Sequence, residues 1–236
     1  MRTVTEELGK QGVVTYRVYE GEEVSRDISP ICARIFHADD RGMVTDDLPQ
    51  IFRDPRWKVV LVTGSIRIPY RYGFMEEAGA TTPPEDLAWM FPPGCPEELV
   101  PFFDLLREEG CEEVYHLLSF RPNRDALGCP PVYEAQWFTD GDIVFEDRVL
   151  FDRSATWGLY SSPEQYMLIG GEPDLMDRYA ERLGGWANIR RCADLYWGEL
   201  YRDNPNDPYR PVPRLYRQAR WDFPFPPPET GTAERA

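Results

Sequence analysis

Residues suited to metal binding are scarce in this sequence. Histidine occurs twice, as His37 and His116, and the five cysteines form no CxxC pair. Structural zinc sites need closely spaced cysteine or histidine ligands, so the sequence predicts neither a bound metal nor a cofactor. The odd number and wide spacing of the cysteines instead fit reduced thiols, mostly buried as small apolar groups. The cysteines are Cys32, Cys95, Cys111, Cys129 and Cys192.

Long apolar runs are also missing. No stretch approaches the roughly 20 apolar residues that a transmembrane helix requires. The first residues, MRTVTEELGKQ, contain no apolar core of the kind found in a secretory signal. Together with the unpaired cysteines, these absences lead us to expect a cytoplasmic protein that does not bind a membrane.

Positive charge is in deficit. The chain carries 41 acidic against 26 basic side chains, for a net charge of −15, and its only lysines are Lys10 and Lys58. A nucleic-acid backbone would be repelled by this surplus of negative charge, so we expect no nucleic-acid binding. A basic protein partner would be attracted. A simpler explanation is that the negative charge only keeps the protein soluble.

Sequence motifs of the common enzyme classes are absent as well. The chain contains no P-loop, dinucleotide-binding, GxSxG, HExxH, kinase or EF-hand pattern. The glycine pair Gly170-Gly171 precedes a predicted helix, where backbone N–H groups could hold an anion. Pro173 removes one donor, however, and Glu172 and Asp174 place negative charge there. We therefore interpret the pair as a plain turn from strand to helix.

The residue types present could also form two kinds of catalytic site, although no sequence spacing points to either. His37, Asp39 and His116 could supply a two-histidine, one-carboxylate iron site if the fold brought them together. A cysteine could likewise pair with a histidine as a nucleophile. The neighbours of His116 are apolar, VYHLL, which favours a packed, hydrogen-bonded side chain instead. The many acidic pairs could include the two carboxylates of a hydrolase, but solvated surface explains them more simply.

What the sequence does contain is a series of alternating and helical apolar patterns. They predict an α+β fold, a mostly antiparallel β-sheet with helices packed on one face. Strands are predicted at 12–20, 57–64, 65–74, 113–120, 131–138, 148–151, 156–161 and 165–170. Helices are predicted at 43–52, 96–110, 173–183 and 186–201, whereas 28–37 fits either a strand or a short helix.

Proline-rich segments suggest the domain organisation. Residues 79–96 hold five prolines and two glycines, which is typical of a long, turn-rich connection. Because each half alone shows few strands, we predict a single α+β domain over 1–203, with an internal boundary in 79–96 as the alternative. Residues 204–236 are rich in Pro, Asp and Arg, which predicts an irregular, extended Pro-rich tail.

One group of acidic residues is placed unfavourably. Glu108, Glu109, Glu112 and Glu113 flank the C-terminal end of the predicted helix 96–110, where the negative end of the helix dipole opposes them. Such a local misfit indicates a role in binding. These four residues are therefore the predicted partner-binding site, with solvated surface as the alternative.

Together these features predict a non-enzymatic, cytoplasmic protein-binding protein. The strong acidity, the lack of enzyme motifs and the α+β pattern resemble, in general character, bacterial immunity proteins that neutralise basic toxins. The resemblance implies an inhibitor whose partner is a basic protein. The alternative is an enzyme, a hydrolase or a metal-dependent one, whose site carries no recognisable motif.

Overall fold

The computed structural model describes residues 1–8, 12–40, 42–45, 48–62, 99–118, 126–131, 148–162, 166–203 and 212–224. Within these ranges eight strands form one antiparallel sheet, and helices pack against it. The predicted α+β class and the mostly antiparallel sheet are therefore confirmed. The predicted strand at 65–74, nearly all of the one at 131–138 and the connection 79–96 lie outside the described residues.

The strands are Arg2–Leu8 (β1), Gly12–Tyr19 (β2), Lys58–Val62 (β3), Val114–Leu118 (β4), Ala126–Cys129 (β5), Arg148–Phe151 (β6), Trp157–Ser162 (β7) and Tyr166–Gly171 (β8). They are ordered β1-β2-β5-β4-β6-β7-β8-β3 across the sheet. The first helical region comprises Gly21–Glu23 (α1), a π-helical stretch at Val24–Ile28 and Ser29–Ile35 (α2). The other helices are Leu99–Glu108 (α3), Pro173–Arg182 (α4), Trp186–Asp203 (α5) and Val212–Gln218 (α6).

Most predicted elements that fall on described residues are confirmed. The helices predicted at 96–110, 173–183 and 186–201 correspond to α3, α4 and α5, and the ambiguous segment 28–37 contains the helix α2. Among the described helices, none has both the length and the apolar character needed to cross a membrane.

Helices cover both faces of the sheet, not only the one face predicted. Along β3, Val59 and Leu61 belong to one apolar core, whereas Val60 and Val62 belong to another, because successive side chains of a strand point to opposite faces. Residues of α2 and α6 complete the first, the α2/α6 core. Residues of α3 and α4 complete the second, the α3/α4 core. The unbroken apolar run of β3 is the sequence sign of this two-sided burial.

A pair of facing glycines lets two aromatic rings approach the sheet. Gly158 of β7 is paired with Gly170 of β8. A β-carbon at Gly158 would overlap with Phe36, and one at Gly170 would overlap with the ring of Phe52. The two rings lie 5.5 Å apart over the glycines. Gly170 and Gly171 thus belong to β8 and serve close packing, and the turn that we expected at this pair follows it instead.

The helix predicted at 43–52 is wrong for the residues described there, since 43–45 and 48–52 are not helical. The backbone groups that a helix would use are bonded elsewhere. The N–H of His37 donates to the carbonyl oxygen of Ile51 at 2.8 Å, and the N–H of Ile51 donates to the side chain of Gln218, also at 2.8 Å. These distant partners override the local helix propensity.

Part of the predicted extended tail forms the helix α6. Val212, Leu215 and Tyr216 recur at helical spacing and are buried in the α2/α6 core. The hydroxyl of Tyr216 donates to the carboxylate of Asp194 in α5 at 2.7 Å. Pro213 lies in the first turn, where proline is well tolerated because the N–H it lacks would be unpaired anyway. A proline-rich composition therefore does not exclude a short helix, and the prediction is wrong over these residues.

Two arginines fasten α6 to the rest of the structure. The guanidinium of Arg190 lies 5.1 Å from the ring centre of Tyr216 and 5.4 Å from that of Trp221. Arg220 follows the helix with a φ of 59°, and its Nη1 donates to the carbonyl oxygen of Trp57 at 2.5 Å. These contacts connect the C-terminal helix to the residues that enter β3.

Candidate functional site

A cleft of about 920 Å³ opens between the C-terminal end of α3, the N-terminal end of α4, the strands β2 and β5, and the turn that joins β6 to β7. Six carboxylates and three arginines line it, and we call it the acidic cleft. These residues are Glu109, Glu112, Glu113, Asp152, Glu172, Asp174, Arg17, Arg153 and Arg178. The excess of acid over base gives the cleft a negative character.

One wall of the cleft is organised around Glu113. The hydroxyl of Tyr19 donates to its two carboxylate oxygens at 3.0 and 3.1 Å, and Nη1 of Arg17 donates to Oε1 at 3.3 Å. Gly128 makes this arrangement possible, since a β-carbon there would overlap with the Glu113 carboxylate and the Tyr19 ring. Glu113 is therefore a positioned side chain, with 17% of its surface exposed.

A second tyrosine and arginine continue this wall. The ring of Tyr115 meets that of Tyr19 edge to face, with their centres 5.8 Å apart. Nε of Arg153 donates to the hydroxyl of Tyr115 at 3.1 Å. Burial raises the pKa of both tyrosines above the ordinary value, so both hydroxyls keep their protons at neutral pH. The arginines Arg17 and Arg153 are thus engaged by side chains of the wall.

The turn from β6 to β7 holds a buried carboxylate at the cleft. Asp152 is 9% exposed, and its Oδ1 accepts bonds from the backbone N–H of Ser154 at 2.9 Å and from its hydroxyl at 2.5 Å. The turn places Ala155 at a φ of 57°, a conformation that costs energy for a residue with a β-carbon. Among the described residues, no lysine or arginine forms an ion pair with Asp152. A buried carboxylate without a cationic partner is uncommon.

Trp157 follows this turn and also lines the cleft. It is 1% exposed, and its indole packs edge to face on Phe102 of α3, with the ring centres 5.2 Å apart. Its Nε1 has no hydrogen-bond acceptor within the part of the chain that the structure describes. A buried indole N–H normally has one.

Two thiols at the cleft are held in their neutral form. Burial, reinforced by the negative charge of Asp152, raises the pKa of Cys111 to about 12, and its thiol donates to the backbone carbonyl of Glu113 at 3.5 Å. Burial likewise raises the pKa of Cys129. Because the thiolate is the reactive form, neither thiol is prepared to act as a nucleophile.

The four glutamates of the predicted binding site have different environments. Glu109, Glu112 and Glu113 line the cleft, whereas Glu108 does not. Glu108 forms an ion pair with Arg182 of α4, and Glu109 forms one with Arg178. The Arg178 guanidinium lowers the pKa of Glu109. The unfavourable position of these two acids on the helix dipole is therefore compensated by pairing between α3 and α4.

Sequence reasoning missed Asp152, Trp157 and the tyrosine wall. The Asp-x-Ser spacing of 152–154 is a known signature of a side-chain-stabilised turn and could have indicated the β6–β7 connection. No local pattern reveals that Tyr19 and Glu113 meet, because they lie 94 positions apart in the chain and are joined only by the pairing of β2, β5 and β4.

The histidine hypothesis is not supported. Among the described residues, no three histidine, cysteine or acidic side chains are grouped as a metal would require, so His37, Asp39 and His116 do not form the iron site considered above. Desolvation and the nearby charge of Arg148 lower the pKa of His116 to about 3. His116 is therefore neutral at physiological pH, in keeping with a packed side chain.

Known proteins provide no independent assignment of this site. Comparisons of the chain with protein-family models, with curated proteins and with solved structures find no match.

Proposed function

We propose that this protein is a non-enzymatic, protein-binding protein, an immunity-like inhibitor of a basic toxin, and that the acidic cleft is its binding surface. The observation that carries the proposal is a set of three exposed carboxylates at the cleft, Glu112, Glu172 and Asp174. Within the described residues none of the three has an ion-pair partner, in contrast to Glu108 and Glu109. We call these three residues the acidic rim.

Unpaired acid at the mouth of a cleft suits the recognition of a basic surface. Complementary charges steer two proteins together and mainly raise the association rate. Inside the cleft, Glu113 and Asp152 are already fixed by hydrogen bonds from Tyr19 and Ser154, so less order has to be imposed on them when a partner binds. The four described cysteines are free thiols, which supports a reducing, cytoplasmic location.

The enzyme alternatives have less support. A cysteine nucleophile requires a thiolate, and the pKa values of Cys111 and Cys129 are raised by burial. The described residues assemble no group of potential metal ligands. The cleft carboxylates that could act as acid or base, Glu113 and Asp152, are engaged in structural hydrogen bonds.

The test begins with affinity capture of a partner from the native cytosol, identified by mass spectrometry. Association of that partner is then measured at low and at physiological salt with the rim variant E112Q/E172Q/D174N. We expect the rim variant to associate more slowly at low salt, by about tenfold, and the difference to shrink as salt screens the charges.

A matched control distinguishes the rim from general charge. The variant E22Q/D40N/E181Q removes three exposed carboxylates that do not line the cleft, so it changes the net charge equally. We expect its association rate to stay close to that of the unmodified protein. A second comparator, E108Q, should also have little effect, because Glu108 does not line the cleft and is paired with Arg182 of α4. Equal slowing by all three variants, or a partner without basic character, would contradict the proposal.

A further inference from the structure

The turn between β6 and β7 brings two unusual polar groups to the same cleft. Asp152 is a buried carboxylate that no described cation pairs with, although Arg17 and Arg153 also line the cleft. Those arginines are bound to Glu113 and Tyr115 instead. Trp157, five positions along, also lines the cleft, and its buried indole N–H has no acceptor in the described structure. Asp152 thus has hydrogen-bond donors but no cationic partner, and the indole N–H of Trp157 has no acceptor, although buried polar groups are normally hydrogen-bonded.

These two polar groups indicate what chemical groups a ligand of the cleft would carry. A carboxylate in a low-dielectric site favours a cation, whereas an indole N–H can only donate and so needs an acceptor such as a carbonyl oxygen. One residue of a basic peptide carries both, a guanidinium or ammonium group and a backbone carbonyl. The cleft volume of about 920 Å³ lies near the upper end of ligand sites, which span roughly 300–1,000 Å³, and so accommodates more than one residue.

We infer that the acidic cleft binds an extended basic segment of the partner protein, with an arginine or lysine side chain at Asp152 and a backbone carbonyl at Nε1 of Trp157. This inference rests on the proposed function and adds to it the form in which the partner is recognised. The acidic rim would then face the basic residues on either side of the bound one. An anionic ligand is disfavoured, because Asp152, Glu172 and Asp174 would all repel it.

The test uses a short peptide of alternating arginine and alanine, with the same peptide carrying glutamine for arginine as its control. Proton–nitrogen NMR spectra follow the indole N–H signals during titration, and the spectrum of W157F identifies the signal of Trp157. We expect that signal to move to lower field as the arginine peptide binds, because the indole N–H then donates to a carbonyl oxygen. A Trp157 signal that stays unmoved while the peptide saturates the protein would overturn the inference.

Two substitutions test each contact. W157F removes the donor but keeps an aromatic ring, and should weaken the peptide about five- to tenfold, the effect of losing one hydrogen bond. D152N removes the charge but keeps the Oδ1 that accepts from Ser154, so the turn should persist while affinity falls at least tenfold. Circular dichroism checks that both variants fold. If one of them does not fold, the NMR titration of the unmodified protein still tests the inference.

The outcomes separate this inference from the proposed function. If a captured basic partner depends on the acidic rim but binds W157F and D152N normally and is not displaced by the peptide, the proposed function stands and the inference fails. If no basic partner is captured and the arginine peptide does not bind, both fail. Equally tight binding of the glutamine control peptide would also overturn the inference.

Discussion

At Gly170 the backbone of β8 lies directly against the ring of Phe52. The substitution G170A would insert a methyl group into that contact, and the buried ring has little room to move aside. We expect the free energy of unfolding to fall by about 1–3 kcal/mol, the usual effect of overpacking a core. Urea denaturation followed by circular dichroism measures the loss.

The control for this prediction is F52L, which removes the ring that the new methyl group would meet. In the double variant G170A/F52L the effect of the alanine should largely disappear, so the two losses should not add. Strictly additive losses would show that the alanine destabilises β8 by another route.

The titration of His116 provides a pH-dependent prediction. Its pKa in the folded protein is lowered to about 3, whereas an unfolded histidine has a pKa of about 6.5. Between these values the unfolded chain binds the proton and the folded chain does not, so stability rises with pH across this window. His116 therefore contributes its full stability above about pH 6.5, and the contribution is lost progressively as pH falls toward 3.

Substitution of the imidazole isolates this contribution. In H116Q the free energy of unfolding should depend less on pH between about 5 and 7 than in the unmodified protein. NMR titration should show the His116 ring neutral at about pH 5, and H37Q assigns the signal of the other histidine. A ring that takes up its proton near pH 6.5, the ordinary value, would contradict the prediction.

Individual site residues were predictable only where the cue was local. Glu109, Glu112 and Glu113 are conspicuous in the sequence because acid at a helix C-terminus is electrostatically unfavourable, and the structure places all three at the cleft. Asp152 and Trp157 sit among ordinary strand and turn residues. Only the packed structure reveals that Asp152 is buried without a cationic partner among the described residues and that the Trp157 indole lacks an acceptor.

The burial of helix α6 predicts how substitutions in it affect stability. Leu215 is fully buried in the α2/α6 core, so L215A should lower the free energy of unfolding by about 2–5 kcal/mol, the usual cost of such a truncation. Thermal and urea denaturation measure the change. The control is R217A, at an exposed position of the same helix, which should alter stability little. An extended tail would make both substitutions harmless.

The elements that sequence predicted well have start and stop signals within a few residues. Helix α4 is an example, with Pro173 in its first turn and the positive-φ glycines Gly184 and Gly185 just beyond its end. Helix α6 was missed because the segment 204–236 is rich in proline, although only Pro213 lies within the helix. The helix expected at 43–52 does not form because the side chain of Gln218, far along the chain, accepts a hydrogen bond from the N–H of Ile51. The errors thus fall where long-range hydrogen bonds and packing decide the backbone.

The net charge of the protein predicts how it behaves toward nucleic acids. With a net charge of −15, the protein should not bind duplex DNA or RNA at physiological salt, since no favourable release of counterions would accompany binding. Electrophoretic mobility shift assays over a range of salt concentrations measure this directly. A nanomolar complex that weakens steeply with added salt would show that a local group of arginines outweighs the overall field.

The order of strands in the sheet also determines when β3 can pair during synthesis of the chain. Strand β3 pairs only with β8 among the described strands, and the register joins Val60 to Ile169, about a hundred residues later in the chain. At a ribosomal rate of roughly 5–20 residues per second, β3 emerges about 5–20 seconds before its partner exists. During that interval the almost entirely apolar strand KVVLV lacks its only neighbour among the described strands. Burial of these side chains against β8 therefore comes late, whereas β7 and β8 can pair as soon as both have been made.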